Sequence, residues 1–217
     1  MTHTGKLRFQ ITMTLDGYIA GPNQGIDHPL GEGAEQIHDW AFATRTFRQV
    51  HGMDGGETGP DDDVARETVE NVGATIMGRN MFSPDRGSWG SDPWKGWWGD
   101  NPPFHHPVFV LTHHAREPLA MQGGTTFTFV TDGIESALEQ AMTAAAGKDV
   151  TIGGGAGVAQ QYLSAGLIDE MEIHLVPLLL NGGTRLFENL GSSDLKLDPV
   201  RVIAGPGVTH LKYRTVK

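Results

Sequence analysis

Val150–Leu163 reads V-T-I-G-G-G-A-G-V-A-Q-Q-Y-L. Three β-formers, Val150, Thr151 and Ile152, run into Gly153, Gly154 and Gly155, and a helical pattern follows at once. That order puts the glycines where a buried strand turns into a helix N-terminus. Without a Cβ the backbone can take φ > 0, and a ligand can approach the main chain directly. The unpaired N–H groups of the following helix and its dipole make such a junction a site for an anion, a phosphate above all. A tight turn that needs glycine only for its geometry is the competing explanation. Four glycines within Gly153–Gly157, with Ala156 between them, favour the ligand. The spacing is not G-x-G-x-x-G with an acidic residue about twenty positions on, which disfavours a Rossmann NAD site.

Upstream of this stretch, Leu7–Thr14 alternates as a strand with Leu7, Phe9, Ile11 and Met13 on one face. Asp16-Gly17 and Gly21-Pro22-Asn23 are turn signals, and Glu35–Val50 has the apolar spacing of one helix, with Trp40 in its stripe. The acidic, glycine-rich run from Met53 to Asp63 lacks the ligand spacing of an EF-hand and reads as a surface loop. Pro60 opens a helix that should end near Gly73. A short apolar strand, Ala74–Met77, then meets Gly78 and Arg79. This is a second strand-to-glycine junction, and Arg79 is either a salt-bridging surface arginine or a guanidinium clamp on phosphate.

Ser83–Pro107 holds Trp89, Trp94, Trp97 and Trp98 among Gly, Pro and Asp. So long and aromatic a connection is a lid over a planar ligand, a cluster covering a sheet edge, or a dimer contact. Pro107–Thr112 is a buried strand flanked by His105-His106 and His113-His114. Adjacent residues on an extended segment face opposite ways, so neither pair suits one metal ion, and no metal site is expected.

Downstream come a strand at Thr125–Val130, a helix at Ile134–Ala146 with Ile134, Leu138, Ala141 and Ala145 inward, and a helix at Ala156–Ala165. Asp169–Leu180 reads as one long strand in which Pro177 implies an edge or a bend. Two last strands, Leu195–Ala204 and Val208–Val216, meet at Gly205-Pro206-Gly207. Helices alternate with the early strands and not with the late ones. The expected fold is therefore α/β, with a mixed sheet that is parallel at its core and antiparallel at its C-terminal end.

The chain has 217 residues, a net charge of −10 and no cysteine. That length suits one large α/β domain or two very small ones. A disulfide framework, a thiolate metal site and a cysteine nucleophile are all excluded. The acidic balance argues against a nucleic-acid surface, which needs clustered Lys and Arg. No window approaches eighteen apolar residues and no signal peptide is visible, so no membrane partner is expected and a cytoplasmic protein is the default.

Five segments carry a family likeness. They are M-T-L-D-G-Y-I-A from Met13, I-M-G-R-N-M-F from Ile76, V-F-V-L-T from Val108, the glycine junction, and the run from Leu167 to Phe187 that contains D-E-M-E-I-H-L-V-P-L-L-L-N-G-G. In this order they resemble the C-terminal reductase domain of the bacterial riboflavin-biosynthesis deaminase-reductase, over nearly the whole chain. The resemblance implies a single domain across residues 1–217 with the dihydrofolate reductase fold, a three-layer αβα arrangement around a mixed, mainly parallel sheet with an antiparallel C-terminal hairpin. It also implies NADPH as cofactor, a small-molecule substrate and a homodimer.

Carried over by motif, Gly153, Gly154, Gly155, Ala156 and Gly157 would take the pyrophosphate side, with a cis peptide in the Gly-Gly pair. Gly78 and Arg79 would meet the cofactor phosphates, Thr112 and His113 would lie at the adenosine 2′-phosphate, and Asp16 would border nicotinamide and substrate. The acid that follows a tryptophan in dihydrofolate reductases is reversed here as Asp39-Trp40, which makes these two candidate substrate contacts and Asp39 the candidate proton donor. The deaminase half has no counterpart, since cysteines and an H-x-E motif are absent. The implied activity is NADPH-dependent hydride transfer to a small heterocycle, similar to 5-amino-6-(5-phosphoribosylamino)uracil reductase. Dihydrofolate reductase activity, or nucleotide binding without turnover, stand as alternatives.

Overall fold

A computed structural model describes residues 5–90, 93–191 and 195–216. In chain order the elements are β1 (Leu7–Thr14), β2 (Tyr18–Ala20), α1 (Asp39–Ala43), α2 (Arg45–Val50), α3 (Pro60–Val69), β3 (Val72–Gly78), α4 (Arg79–Phe82), β4 (Pro107–Leu111), β5 (Leu119–Ala120), β6 (Thr126–Val130), α5 (Ile134–Ala145), β7 (Asp149–Ile152), α6 (Ala156–Ser164), β8 (Glu170–Val176), β9 (Thr184–Arg185), β10 (Lys196–Ala204) and β11 (Thr209–Val216). They form two compact units, one made of the chain up to Phe9 with Asn71–Ile168, the other of Gln10–Glu70 with the chain from Asp169 onward.

In the first unit the strand order is β1-β7-β3-β4-β6-β5, and every pairing is parallel except β6 with β5. Parallel strands need crossovers, and α5 supplies the one from β6 to β7. Helix α5 packs on β3, β4 and β7. Its buried stripe is Ala137, Ala141 and Ala145: the last two are inward as expected, while Ala137 takes the place of Ile134 and Leu138, which are only half-buried. The small residues let the helix come close: a Cβ on Gly73 would stand 2.7 Å from the Ala145 carbonyl oxygen. Gly73 therefore belongs to β3 for close approach and does not end the preceding helix; α3 stops at Val69, and Asn71 takes the left-handed turn at φ 57°.

Beside this packing, Met77, Phe82, Val108, Val110, Phe127 and Phe129 form a buried cluster. Trp89, Trp94 and Trp98 pack on it, and Trp97 meets Trp94 at 5.0 Å between rings. The tryptophan-rich stretch thus walls a core cluster, which explains why a long connection poor in regular structure is so aromatic.

In the second unit β11 pairs antiparallel with both β8 and β10, and the β10–β11 hairpin turns at the expected glycines. Strand β8 ends at Val176, four residues short of the expected Leu180. Pro177 has no N–H to continue the ladder, and Leu178 N donates instead to the Val176 carbonyl at 2.8 Å. The expected helix Glu35–Val50 is broken into a 3-10 turn, α1 and α2. The break is Thr44, extended at ψ 148° and 1 % exposed, whose hydroxyl accepts from Phe47 N as the cap of α2. Backbone bonds from Glu57 N to Ala43 O and from Arg45 N to Glu57 O hold the chain open there.

Strand β1 does not keep one buried face. Leu7 and Phe9 are buried, then the phase changes and Thr12 and Thr14 are buried in place of Ile11 and Met13. The two threonines have partners that the alternation rule cannot see. Thr12 accepts from Trp40 Nε1 at 3.0 Å, and Thr14 both accepts from Tyr18 N and donates to Asp16. A small antiparallel pair, β2 with β9, was not foreseen. The α/β class with a parallel core and an antiparallel C-terminal hairpin is the observed one. Among the described residues no helix is long and apolar enough to cross a membrane, and no cluster of three metal-ligating side chains occurs.

Candidate functional site

The first unit gathers three of the junctions seen in the sequence at one end of its sheet. Strands β7, β3 and β4 are neighbours and parallel, with Ile152 beside Ile76 and Leu111 beside Gly78. Gly153, Gly78 with Arg79, and Thr112 with His113 therefore follow the carboxyl ends of adjacent strands. Gly153 N donates to the Ile76 carbonyl at 2.8 Å, tying the first junction to the second.

The glycines serve two different ends. A Cβ on Gly78 would stand 2.7 Å from Val158 Cγ2, so that glycine lets α6 pack on β3. A Cβ on Gly153 would stand 3.1 Å from Thr75 Cγ2. At Gly155 and Gly157 a Cβ would meet nothing within 4 Å, so here the space in front of the backbone is open. Gly154 and Gly155 turn the chain with φ of 118° and 89°; the expected cis Gly-Gly bond is absent, and no peptide bond among the described residues is cis. Gly155 is the N-cap of α6 and offers no side chain to the free N–H groups of the first turn, where buried Ala156 follows. An uncapped helix N-terminus behind an open glycine cradle is a binding geometry for an anion.

Arg79 is not a surface arginine: it is 9 % exposed. Its Nε and Nη2 donate to the carbonyls of Asp85 and Gly87, and its guanidinium lies 3.1 Å from the centroid of the Trp89 ring. Nη1 is buried and has no partner. Burial lowers the guanidinium pKa below its ordinary value and Arg116 adds to this, with Asp85 acting the other way. Arg116 approaches the same Trp89 ring at 4.7 Å and donates to Trp94 O. Two arginines on one indole, one with an orphaned donor, leave unsatisfied positive charge in this wall.

Thr112 is buried, and its hydroxyl accepts from His114 N at 3.2 Å, so it shapes the turn after β4. His113 is exposed. His106, half of the other histidine pair, is hydrogen-bonded to Thr75 Oγ1 at 2.8 Å, and burial pushes its pKa down to about 4.

In the second unit Asp16 is held by the Thr14 hydroxyl and by the N–H groups of Leu180 and Asn181. Partial burial works against its charge, but these donors outweigh it and keep the carboxyl below its ordinary pKa. Asp39 is exposed in the first turn of α1. It and Trp40 line a cavity of about 300 Å³ together with the start of α3, the end of β8 and the hairpin turn at Pro206 and Gly207. The run from Met53 to Asp63 is therefore only partly a surface loop: its last residues open α3, and Asp62 there is 6 % exposed and accepts from Thr46 N at 2.7 Å.

Behind the cavity lies a group that sequence reasoning missed. His174 Nδ1 and His210 Nδ1 are 2.8 Å apart, and His210 Nε2 is 3.1 Å from Asp61 Oδ1. Trp40 packs on both imidazoles at 4.6 and 4.9 Å. Burial, with the charges of His210 and His38, pushes His174 down to about 3, so it is neutral. With Asp61 accepting from His210 Nε2, one N–H lies between the two Nδ1 atoms and bonds the imidazoles to each other. The available signal was a lone histidine inside each of two strands; only the register, His210 opposite His174, reveals the pair.

Residues 5–211 match the family model of the RibD C-terminal domain. The chain belongs to that family. Among solved structures, this RibD C-terminal chain is similar to a putative riboflavin biosynthesis protein from Shewanella sp. PV-4, at 23 % identity over 98 % of this chain and 99 % of that one, with a TM-score of 0.61. It is also similar to the deaminase/5-amino-6-(5-phosphoribosylamino)uracil reductase of Thermotoga maritima, at 15 % identity and TM-score 0.58, covering 98 % of this chain but 57 % of that one. A dihydrofolate reductase from Enterococcus faecalis complexed with NADP(H) aligns over 100 % of both chains at 13 % identity and TM-score 0.52. At these identities the likeness establishes the dihydrofolate reductase-like fold. Among curated proteins, none matches the sequence.

Proposed function

We propose that this RibD C-terminal chain is an NADPH-dependent reductase that delivers hydride to a C=N or C=O group of a small heterocycle, the reaction class of the uracil reductase named for the Thermotoga relative. The observation that carries the reading is the uncapped α6 N-terminus behind the open positions at Gly155 and Gly157. It suits a pyrophosphate held by backbone N–H groups of Gly154 to Gly157, Ala156 included. The buried, unpartnered Nη1 of Arg79 suits a second phosphate contact beside Gly78. Exposed His113 is the candidate for the 2′-phosphate; Thr112, its hydroxyl engaged in the turn, would orient that loop.

The nicotinamide supplies hydride when bound, and the protein's part is orientation and exclusion of water. In the second unit Asp16, Asp39 and Trp40 are the candidate substrate contacts. Asp39, exposed at the start of α1, is the candidate donor of the proton that the reduced nitrogen or oxygen needs. The test is NADPH oxidation, followed by absorbance, across pyrimidines, pteridines and small carbonyl compounds. Turnover of a pyrimidine or carbonyl compound that falls in Asp39→Asn supports the proposal. Turnover confined to dihydropteridines points to dihydrofolate reductase activity. NADPH binding without turnover of any compound overturns the catalytic part.

A further inference from the structure

The second-unit cavity holds Asp39 and Trp40, two of the candidate substrate contacts, and its remaining lining narrows what it could bind. Four carboxylate residues, Asp39, Glu57, Asp61 and Asp62, line it, and no Lys, Arg or His does. One wall is the Trp40 indole, and the rest is largely apolar, including Val176 and Pro206. The wall is built, not incidental. Trp40 is fixed at one end by its Nε1–H bond to Thr12 and from behind by the His174 and His210 rings. Asp61 is fixed by His210 and by the hairpin turn, where a Cβ on Gly205 would overlap its carboxylate.

An anion is a poor occupant. Helix α3 opens onto the cavity, but Asp61, Asp62 and Asp63 already complement the dipole in its first turn. A phosphate would meet four acids and no cation. A planar cation meets the reverse: a fixed carboxylate and an indole in the same wall, and each rewards positive charge. A cavity of about 300 Å³ is at the small end of ligand pockets, enough for one ring and its substituents.

We infer that this cavity binds a small, planar, unphosphorylated cation, an aromatic amidine, guanidine or protonated amino-heterocycle, with Asp61 as its ion-pair partner and Trp40 as its stacking face. As a statement of substrate class the inference rests on the proposed reaction; as a statement of binding it concerns residues of the second unit alone, and a failure of NADPH binding would leave it standing.

The test uses the full chain and two probes of one shape, benzamidine and benzoate, with the Trp40 indole N–H resonance, assigned through Trp40→Phe, as readout. Benzamidine should shift it saturably and benzoate should not. Asp61→Asn should weaken benzamidine at least about tenfold, the loss of one charge-assisted contact. Asp39→Asn, at a more exposed position, should weaken it about threefold or less. Gly205→Ala keeps the Asp61 charge but displaces it, and should match Asp61→Asn; it decides the matter if Asp61→Asn fails to fold. No binding of benzamidine, equal binding of benzoate, or unchanged affinity in Gly205→Ala overturns the inference.

Discussion

Replacing Gly205 by alanine sets a methyl group where the Asp61 carboxylate lies. Gly205 is not among the glycines with positive φ, so alanine fits its backbone and the overlap is the whole perturbation. Asp61 must swing away, and His210, whose side chain is 0 % exposed, loses the partner of its Nε2 at 3.1 Å. A buried donor left without a partner costs about 1–3 kcal/mol. In a chain of this size each kcal/mol moves Tm by about 2–4 °C, so a fall of about 2–12 °C follows. Thermal unfolding at neutral pH should be measured for wild type, Gly205→Ala, Asp61→Ala and the double variant. Asp61→Ala removes the partner outright, and with no carboxylate left to strike, the added Gly205→Ala should cost less than about 0.5 kcal/mol. Equal effects of Gly205→Ala in both backgrounds, or no effect in wild type, would refute this account of the turn.

His106 and His174 stay neutral in the fold down to about 4 and about 3, while in the unfolded chain they take up protons near pH 6.5. Between those values the unfolded state binds more protons, so stability should fall as pH drops from about 6.5 towards 4, by at most about 1.4 kcal/mol per pH unit for each group. His106→Gln should flatten that limb, and an unchanged slope in urea melts would contradict the assignment. Gly155→Ala meets open space but must hold φ 89°, so it should destabilise by about 1–3 kcal/mol through strain while weakening NADPH, which calorimetry on the folded variant would show. Thr44→Ala removes the cap of α2 and should cost about 1 kcal/mol in chemical denaturation; a neutral result would mean that the Glu57 backbone bonds alone hold the break.

Much of the fold was legible because it rests on local chemistry. Strand, glycine and helix at Val150–Leu163 form as read, and Gly205-Pro206-Gly207 closes the hairpin it announces. What failed had causes outside the local pattern. The helix through Thr44 looks continuous until Glu57 claims the backbone of Ala43 and Arg45. Ile11 and Met13 yield the buried face to Thr12 and Thr14 because Trp40, Tyr18 and Asp16 give those hydroxyls partners. The candidate site divides the same way. The glycine cradle could be read from spacing, but the buried state of Arg79 depends on Trp89, ten residues on. The Asp61–His210–His174 chain spans three distant segments, and only strand register brings the two histidines together.

The proposed NADPH site of the first unit is the α6 N-terminus together with Arg79. Titration of the purified chain with NADPH and NADH, followed by quenching of tryptophan fluorescence, reads this site, since Trp89 lies on the Arg79 guanidinium. NADPH should bind saturably, NADH more weakly, and Arg79→Lys should lose about tenfold or more, because an ammonium cannot reproduce the guanidinium fork. Absence of binding by either nucleotide, or NADPH affinity indifferent to Arg79→Lys, would contradict the proposed site.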